Sequence, residues 1–239
     1  MPERTAVFCL FILFCAVPQA SAHYLWVVVE NNGDDGSVAN VIFEEGPAAR
    51  DGGYLDHFTD TSKTWIRTVE SIEPQLLETA DVREDDKRWL RATLPAGTPR
   101  SIECYGKFGV YSYGDTEVLL HYYARCLDVT DHDDVHELGR AEHMDLDIVP
   151  HDHGDEVQLT VLWKGESAAD RLVHIRGPER FQQNVRTDER GRVVFTPSVA
   201  GRYTFRTSVE LATKGRDGDD EYELIRHHAT LVMRLPLGE

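Results

Sequence analysis

The sequence predicts an all-β protein: two β-sandwich domains, the second immunoglobulin-like, behind a cleaved signal peptide. Three observations carry this. Helical periodicity is scarce, short alternating or β-branched runs recur along most of the chain, and clusters of Gly, Pro and Asp separate them.

The first element is the leader. Arg4 supplies a positive start, and the apolar run from Ala6 to Val17 is too short to span a bilayer. Ala20-Ser21-Ala22 then forms a small-x-small cleavage site, so residues 1–22 are expected to be removed between Ala22 and His23. Cys15 follows Phe14, where lipid attachment needs a small residue, so no lipid anchor is expected. No later run is apolar enough to cross a membrane. The expected product is periplasmic or secreted and is not inserted into a membrane. Of 239 residues, 239 less 22 leaves 217, enough for one large or two small β domains.

The first domain, residues 23–145, is expected to hold strands over His23–Glu30, Val38–Glu44, Thr64–Val69, Arg88–Leu94, Ser101–Val110 and Glu117–Asp128. One short helix is expected within Glu70–Glu84. Tyr113-Gly114-Asp115 reads as the turn of a hairpin. A hairpin centred on Asp115 sets Cys104 opposite Cys126, and in an oxidising compartment that pair is expected to form a disulfide. The second domain, residues 146–239, holds runs at Glu156–Trp163, Arg171–Arg176, Phe181–Thr187, Arg192–Thr196, Gly201–Leu211 and Tyr222–Leu235. The stretch 129–155 between the two series is poor in apolar residues. It reads as an acidic, histidine-rich linker at the end of the first domain.

Charge narrows the partners. With 42 acidic and 25 basic residues, the formal net charge is -17; such a surface repels nucleic acid and anionic lipid and favours cations. The motifs of serine hydrolases, zinc peptidases, P-loop nucleotide binders and dinucleotide-binding folds are missing, so an enzyme is not the expectation.

The histidines are the residues with chemistry to offer. Cleavage before His23 frees an α-amine, a group that ordinarily titrates at about pH 8, on the residue that also carries an imidazole. Two nitrogens of one residue plus a second imidazole make a T-shaped, nitrogen-rich site suited to Cu(II) or Ni(II). The other reading is a plain strand residue at the start of the first strand. His121, in "EVLLHYYAR", and His57, in the loop over 45–62, are the candidate partners. Asp56 is a candidate weak ligand or an acceptor for a ring N–H. His132, His136, His143, His151 and His153 lie among ten acidic residues between 131 and 156. His132-x3-His136 places two rings on one face of a helix, and His151-x-His153 places two on one side of a strand. These are secondary metal candidates, beside the plainer reading of a solvated acidic linker. His227-His228 is no natural chelate, because strand neighbours face opposite ways.

The "AHYLWV" start, "VIFEEGP", "GVYSYGDTEVLLHYYAR", "LDIVP" and "TDERGRVVFTPSVAGRYTFR" together resemble a domain-of-unknown-function family of exported bacterial proteins. Members of that family are described as periplasmic components of nickel or cobalt uptake. The resemblance runs over nearly all of residues 23–239; its sharpest motif is the Ala-His-x-x-Trp opening, in which His23 matches the family's histidine at the leader junction. It implies two β-sandwiches and a metal-linked role. The leading expectation is therefore a periplasmic accessory protein that takes up Ni(II), Co(II) or Cu(II) through His23, with His57 and His121, and presents the ion to a membrane transporter. The alternatives are a histidine-brace copper enzyme acting on polysaccharide, similar to lytic polysaccharide monooxygenases, and a metal-free secreted adhesion or scaffold module.

Overall fold

The computed structural model describes residues 23–31, 36–97 and 99–237, apart from the side chains of Asp152 and His153. The expected leader, residues 1–22, lies outside them. In chain order the elements are β1 (Tyr24–Asn31), β2 (Ser37–Glu44), α1 (Asp56–Thr59), β3 (Lys63–Thr68), β4 (Ser71–Leu77), β5 (Ala80–Glu84), β6 (Lys87–Leu94), β7 (Arg100–Tyr113), β8 (Thr116–Asp128), α2 (His132–Leu138), β9 (Leu146–His153) and β10 (Glu156–Trp163). They continue with β11 (Glu166–Ser167), β12 (Leu172–Arg176), β13 (Gln182–Arg186), β14 (Arg192–Phe195), β15 (Gly201–Leu211), β16 (Gly215–Asp217), β17 (Asp220–Tyr222) and β18 (Leu224–Leu235). The protein is all-β with packed sheets, as its alternating runs predict. No described helix is long and apolar enough to cross a membrane.

One sheet organises the molecule. It has eight strands in the order β13-β12-β15-β18-β8-β7-β3-β4, so strands from both halves of the chain hydrogen-bond side by side. The seam is the parallel pair β8 and β18, which sets His227 next to His121. A four-stranded sheet, β1-β2-β6-β5, covers one face; a smaller sheet built on β9, β10, β11 and β14 covers the other. Side-chain alternation in β8 serves both cores. Val118, Leu120, Tyr122, Ala124 and Cys126 enter the core shared with β1 and β2, while Tyr123 and Leu127 enter the core shared with β9 and β10.

The short α1 docks on β7 through the buried Phe58 ring. Gly106 of β7 makes this approach possible: a Cβ there would overlap the Phe58 ring.

Two expectations are corrected. Glu70–Glu84 holds β4 and β5, not a helix. Pro74 lies inside the stretch and would break a helix, yet it is tolerated in β4, an edge strand. Cys104 and Cys126 are free thiols, not a disulfide. The β7–β8 hairpin turns between Gly114 and Asp115, pairing Tyr113 with Thr116, and a bulge at Phe108 then shifts the register by one more residue. Cys104 thus faces Ala124, and Cys126 faces Ile102. The two sulfurs share a face as diagonal neighbours, a spacing of about 7–8 Å between Cα atoms, longer than the usual disulfide span. Burial pushes both thiols up to about 12, so neither ionises near neutral pH.

The acidic stretch after β8 is anchored to the sheet over residues 138–148, while Asp133, Glu137, Glu142 and Asp145 stay exposed to solvent. On the face away from β1, Glu103 takes Arg67 in an ion pair of 2.9 Å and accepts the backbone N–H groups of Glu142 and His143. Arg67 also donates to the carbonyls of Leu138 and Arg140. Arg125, fully buried, reaches Asp147 at 3.2 Å and the Ile148 carbonyl at 2.6 Å. Buried charges that lose a partner are costly, and here each holds the 138–148 segment against the sheet.

Candidate functional site

α2 is built by its sequence. Asp131, in an extended conformation, caps it by accepting the Asp134 N–H at 3.0 Å. Asp133 and Asp134 add negative charge to the first turn, and His136 stands in the last, both favourable to the helix dipole. Val135 and Leu138, three apart, are buried, which fixes the opposite face outward. Gly139 ends the helix, its N–H bonded to the Val135 carbonyl at 2.7 Å.

The outward face carries His132 and His136, both exposed. Their Nε2 atoms are 2.9 Å apart, with rings nearly perpendicular at 83°. One ring donates its N–H to the other, so the two Nε2 atoms face each other. Two nitrogen ligands bound at about 2.0–2.1 Å and a right angle to one ion stand about 2.9 Å apart. The hydrogen-bonded pair therefore has the spacing of a chelate. His151 of β9 lies near, its ring 6.2 Å from that of His136. His153 is on the same strand, but its side chain lies outside the described ones. His143 is elsewhere, with its ring on Trp65 at 4.5 Å.

The three leading histidines do not converge. His23 immediately precedes β1, on the β2 side of the large sheet, where it packs against Phe43 and Tyr54. Its Nε2 is 3.7 Å from the carboxylate of the buried Glu44, at a cleft shared with Glu45, Asp51 and Asp86. His57 in α1 is turned to β7: its Nδ1 is 3.0 Å from the Phe108 carbonyl and its ring stacks on Phe108 at 3.8 Å. Asp56 is committed to Arg88 at 2.7 Å, and that guanidinium holds its carboxyl below the usual range.

His121 projects from the opposite face of the sheet. Its Nδ1 meets the Tyr105 hydroxyl at 2.8 Å, and its ring stacks on His227 at 4.8 Å. His227 in turn meets the Tyr123 hydroxyl at 3.2 Å and lies against Trp163. Burial, with His121 and Lys164 nearby, pushes His227 down to about 4; burial, then Lys107, lowers His121. The sheet itself separates His121 from His23. His227 escapes a reading of local spacing, because only the parallel β8–β18 pairing brings it to His121. Among the described residues no three His, Cys, Asp or Glu side chains form a ready ion cage; the α2 pair brings two imidazole nitrogens together.

No protein-family model matches the chain, and no curated protein matches it. Among solved structures, a crystal structure of chicken CNTN1 FN1–FN3 domains is similar at 12% identity, covering 89% of this chain and 65% of that one, with a TM-score of 0.21. A Bacillus subtilis pullulanase type I complexed with maltose is similar at 13% identity, covering 80% of this chain and 24% of that one, with a TM-score of 0.22.

Proposed function

We propose that this is an exported accessory protein that binds a divalent transition metal, Ni(II), Co(II) or Cu(II), and hands it on for uptake, with His132 and His136 as the capture site. The observation that carries the reading is the 2.9 Å separation of their Nε2 atoms on an exposed helical face. Imidazole nitrogens suit these ions, and Cu(II) should bind tightest of the three. To become a chelate the donor ring shifts its proton to Nδ1, so that both Nε2 lone pairs are free for the ion; protonation of either ring competes with the metal, so affinity weakens as pH drops through the histidine range. Exposure fits the role, since a carrier must release its ion to the next protein. The surrounding acidic residues raise the local cation concentration. Export rests on the leader-like start of the sequence, and the membrane transporter that would receive the ion is part of the same proposal.

Calorimetry with Cu(II) and Ni(II) tests it on protein beginning at His23. His132→Ala with His136→Ala should weaken binding at least tenfold, about 1.4 kcal/mol, with the unfolding midpoint unchanged because both side chains are exposed. Equal affinity in the double variant contradicts the assignment. His23→Ala in parallel measures what the processed terminus adds: its amine and ring, beside Glu44, form a separate candidate locus.

A second reading has one observation in its favour. Beside His23 the exposed rings of Tyr54, Tyr111 and Tyr113 border a small aromatic pocket, a surface able to stack on sugar rings. A copper enzyme acting on polysaccharide would use that locus rather than α2. It predicts copper-dependent peroxide consumption that a polysaccharide stimulates and His23→Ala abolishes.

A further inference from the structure

The strand face of β12 and β15 that points away from the β9–β10 core carries an unusual set of side chains. Arg202, Thr204 and Arg206 alternate along β15, and His174 and Arg176 along β12. The register sets Thr204 opposite Arg176, and Arg206 opposite His174. Their strand neighbours Ile175, Tyr203 and Phe205 enter the core, so the alternation commits the basic residues to the other face. There they line a cavity of about 250 Å³, walled on the far side by the β1–β2 edge and containing one acidic side chain, Glu45.

Charge makes this cavity distinctive. In a chain of net charge -17, Arg67, Arg88, Arg100, Arg125 and Arg226 each hold a carboxylate. Arg176, Arg202 and Arg206 form no ion pair with any described residue. Arg206 is also held in place: its guanidinium lies over the Tyr24 ring at 4.4 Å, and its buried Nε has no hydrogen-bond partner among the described residues. Three guanidinium groups and the Thr204 hydroxyl on one wall match oxyanions, which arginine grips through paired N–H donors.

We infer that this cleft is a binding site for a small oxyanion ligand, a phosphate- or polycarboxylate-bearing molecule, gripped by Arg176, Arg202 and Arg206. The inference is independent of the metal site: α2 contributes none of the residues. The cavity lies just below the range of about 300–1,000 Å³ typical of ligand pockets, which limits the ligand to a compact molecule.

Calorimetric titration of metal-free protein with sodium phosphate and, separately, with citrate tests it. At least one should bind saturably, and the tighter one identifies the headgroup class. Binding should weaken at about 0.5 M NaCl, because screening shortens the reach of the arginines. Arg202→Gln with Arg206→Gln should cost about tenfold or more in affinity. Arg176→Gln, whose side chain is exposed and free of core packing, should give a smaller loss in the same direction. Arg190→Gln removes the same charge from a distant turn and should change nothing. Failure of both anions to bind at millimolar concentration overturns the inference. So does an Arg190→Gln loss equal to that of Arg176→Gln, which removes the same single charge; that would reduce the effect to net charge.

Discussion

His227 and His228 are consecutive, yet strand alternation sends them to opposite faces of the sheet, each against its own set of aromatic rings. His227 faces His121 and Trp163; His228 lies between Tyr122 and Tyr24, its buried Nδ1 without a described partner. Burial first, then Arg226, Arg206 and His227, pushes His228 down to about 3, and His227 stands at about 4. Both folded values lie below the ordinary histidine value near 6.5. The unfolded chain then binds more protons between about 6.5 and these lower values, so stability present above pH 6.5 is lost as pH falls toward 4. Urea denaturation at stepped pH checks this. His228→Phe should flatten the acid limb, and an unchanged slope in that variant would contradict the assignment. The cysteines give a second residue-scale prediction. Protein beginning at His23 should show no thiol reactive at neutral pH while folded and two after denaturation without reductant; zero after denaturation would restore the disulfide. The sequence shows both cysteines on neighbouring strands but not the register. The turn type and the Phe108 bulge, each worth one residue, decide it.

At the scale of elements, α2 is where local signals are most complete. Asp131, the Val135–Leu138 spacing and Gly139 are the signals of a short helix that a reading of 129–155 as linker overlooks, and His132-x3-His136 falls on its outward side. What composition hides is that the surrounding acidic stretch docks: its anchors, Arg67, Glu103 and Arg125, lie in strands up to about eighty positions away, where a charged residue reads as exposed. Asp131→Ala should cost about 1 kcal/mol and lower metal affinity by fraying the helix that aligns the two rings. Far-UV circular dichroism alone would miss so small a change, so chemical denaturation and calorimetry are the readouts. Glu103→Ala leaves buried Arg67 with two carbonyls and the exposed Glu142 carboxylate at 3.9 Å, and frees two backbone N–H groups; a cost of up to about 3–5 kcal/mol is expected. Hydrogen exchange should rise selectively over residues 138–148, and uniform exchange across the protein would argue against a local tether. The edge strands β4 and β5 illustrate the reverse error. Their polar, weakly periodic sequence carries little strand signal, and only pairing with β3 and β6 makes them strands.

At the scale of the molecule, the strand-rich class follows from the alternating runs, but the partnering of strands does not. A division near residue 145 is natural in the sequence because the composition changes there. In space, β8 from before that point and β18 from the chain's end pair over ten residues, Leu224 to Met233, and β8 feeds both cores. Unfolding should therefore be one cooperative transition, with calorimetric and van't Hoff enthalpies in agreement. Residues 23–145 produced alone should lack the fixed tertiary packing of the whole. Two separated transitions would contradict a shared sheet. The same long-range pairing explains why His121 meets His227 instead of His23, and why the arginines of β12 and β15 gather beside β1. The functional account stands on the α2 pair. Its most direct test is anomalous X-ray diffraction from crystals of protein beginning at His23, soaked in Ni(II) and measured at the nickel edge. A peak within about 2.0–2.1 Å of both His132 Nε2 and His136 Nε2 is the predicted result. Ordered nickel only at other residues, with the two rings still hydrogen-bonded to each other, would contradict it.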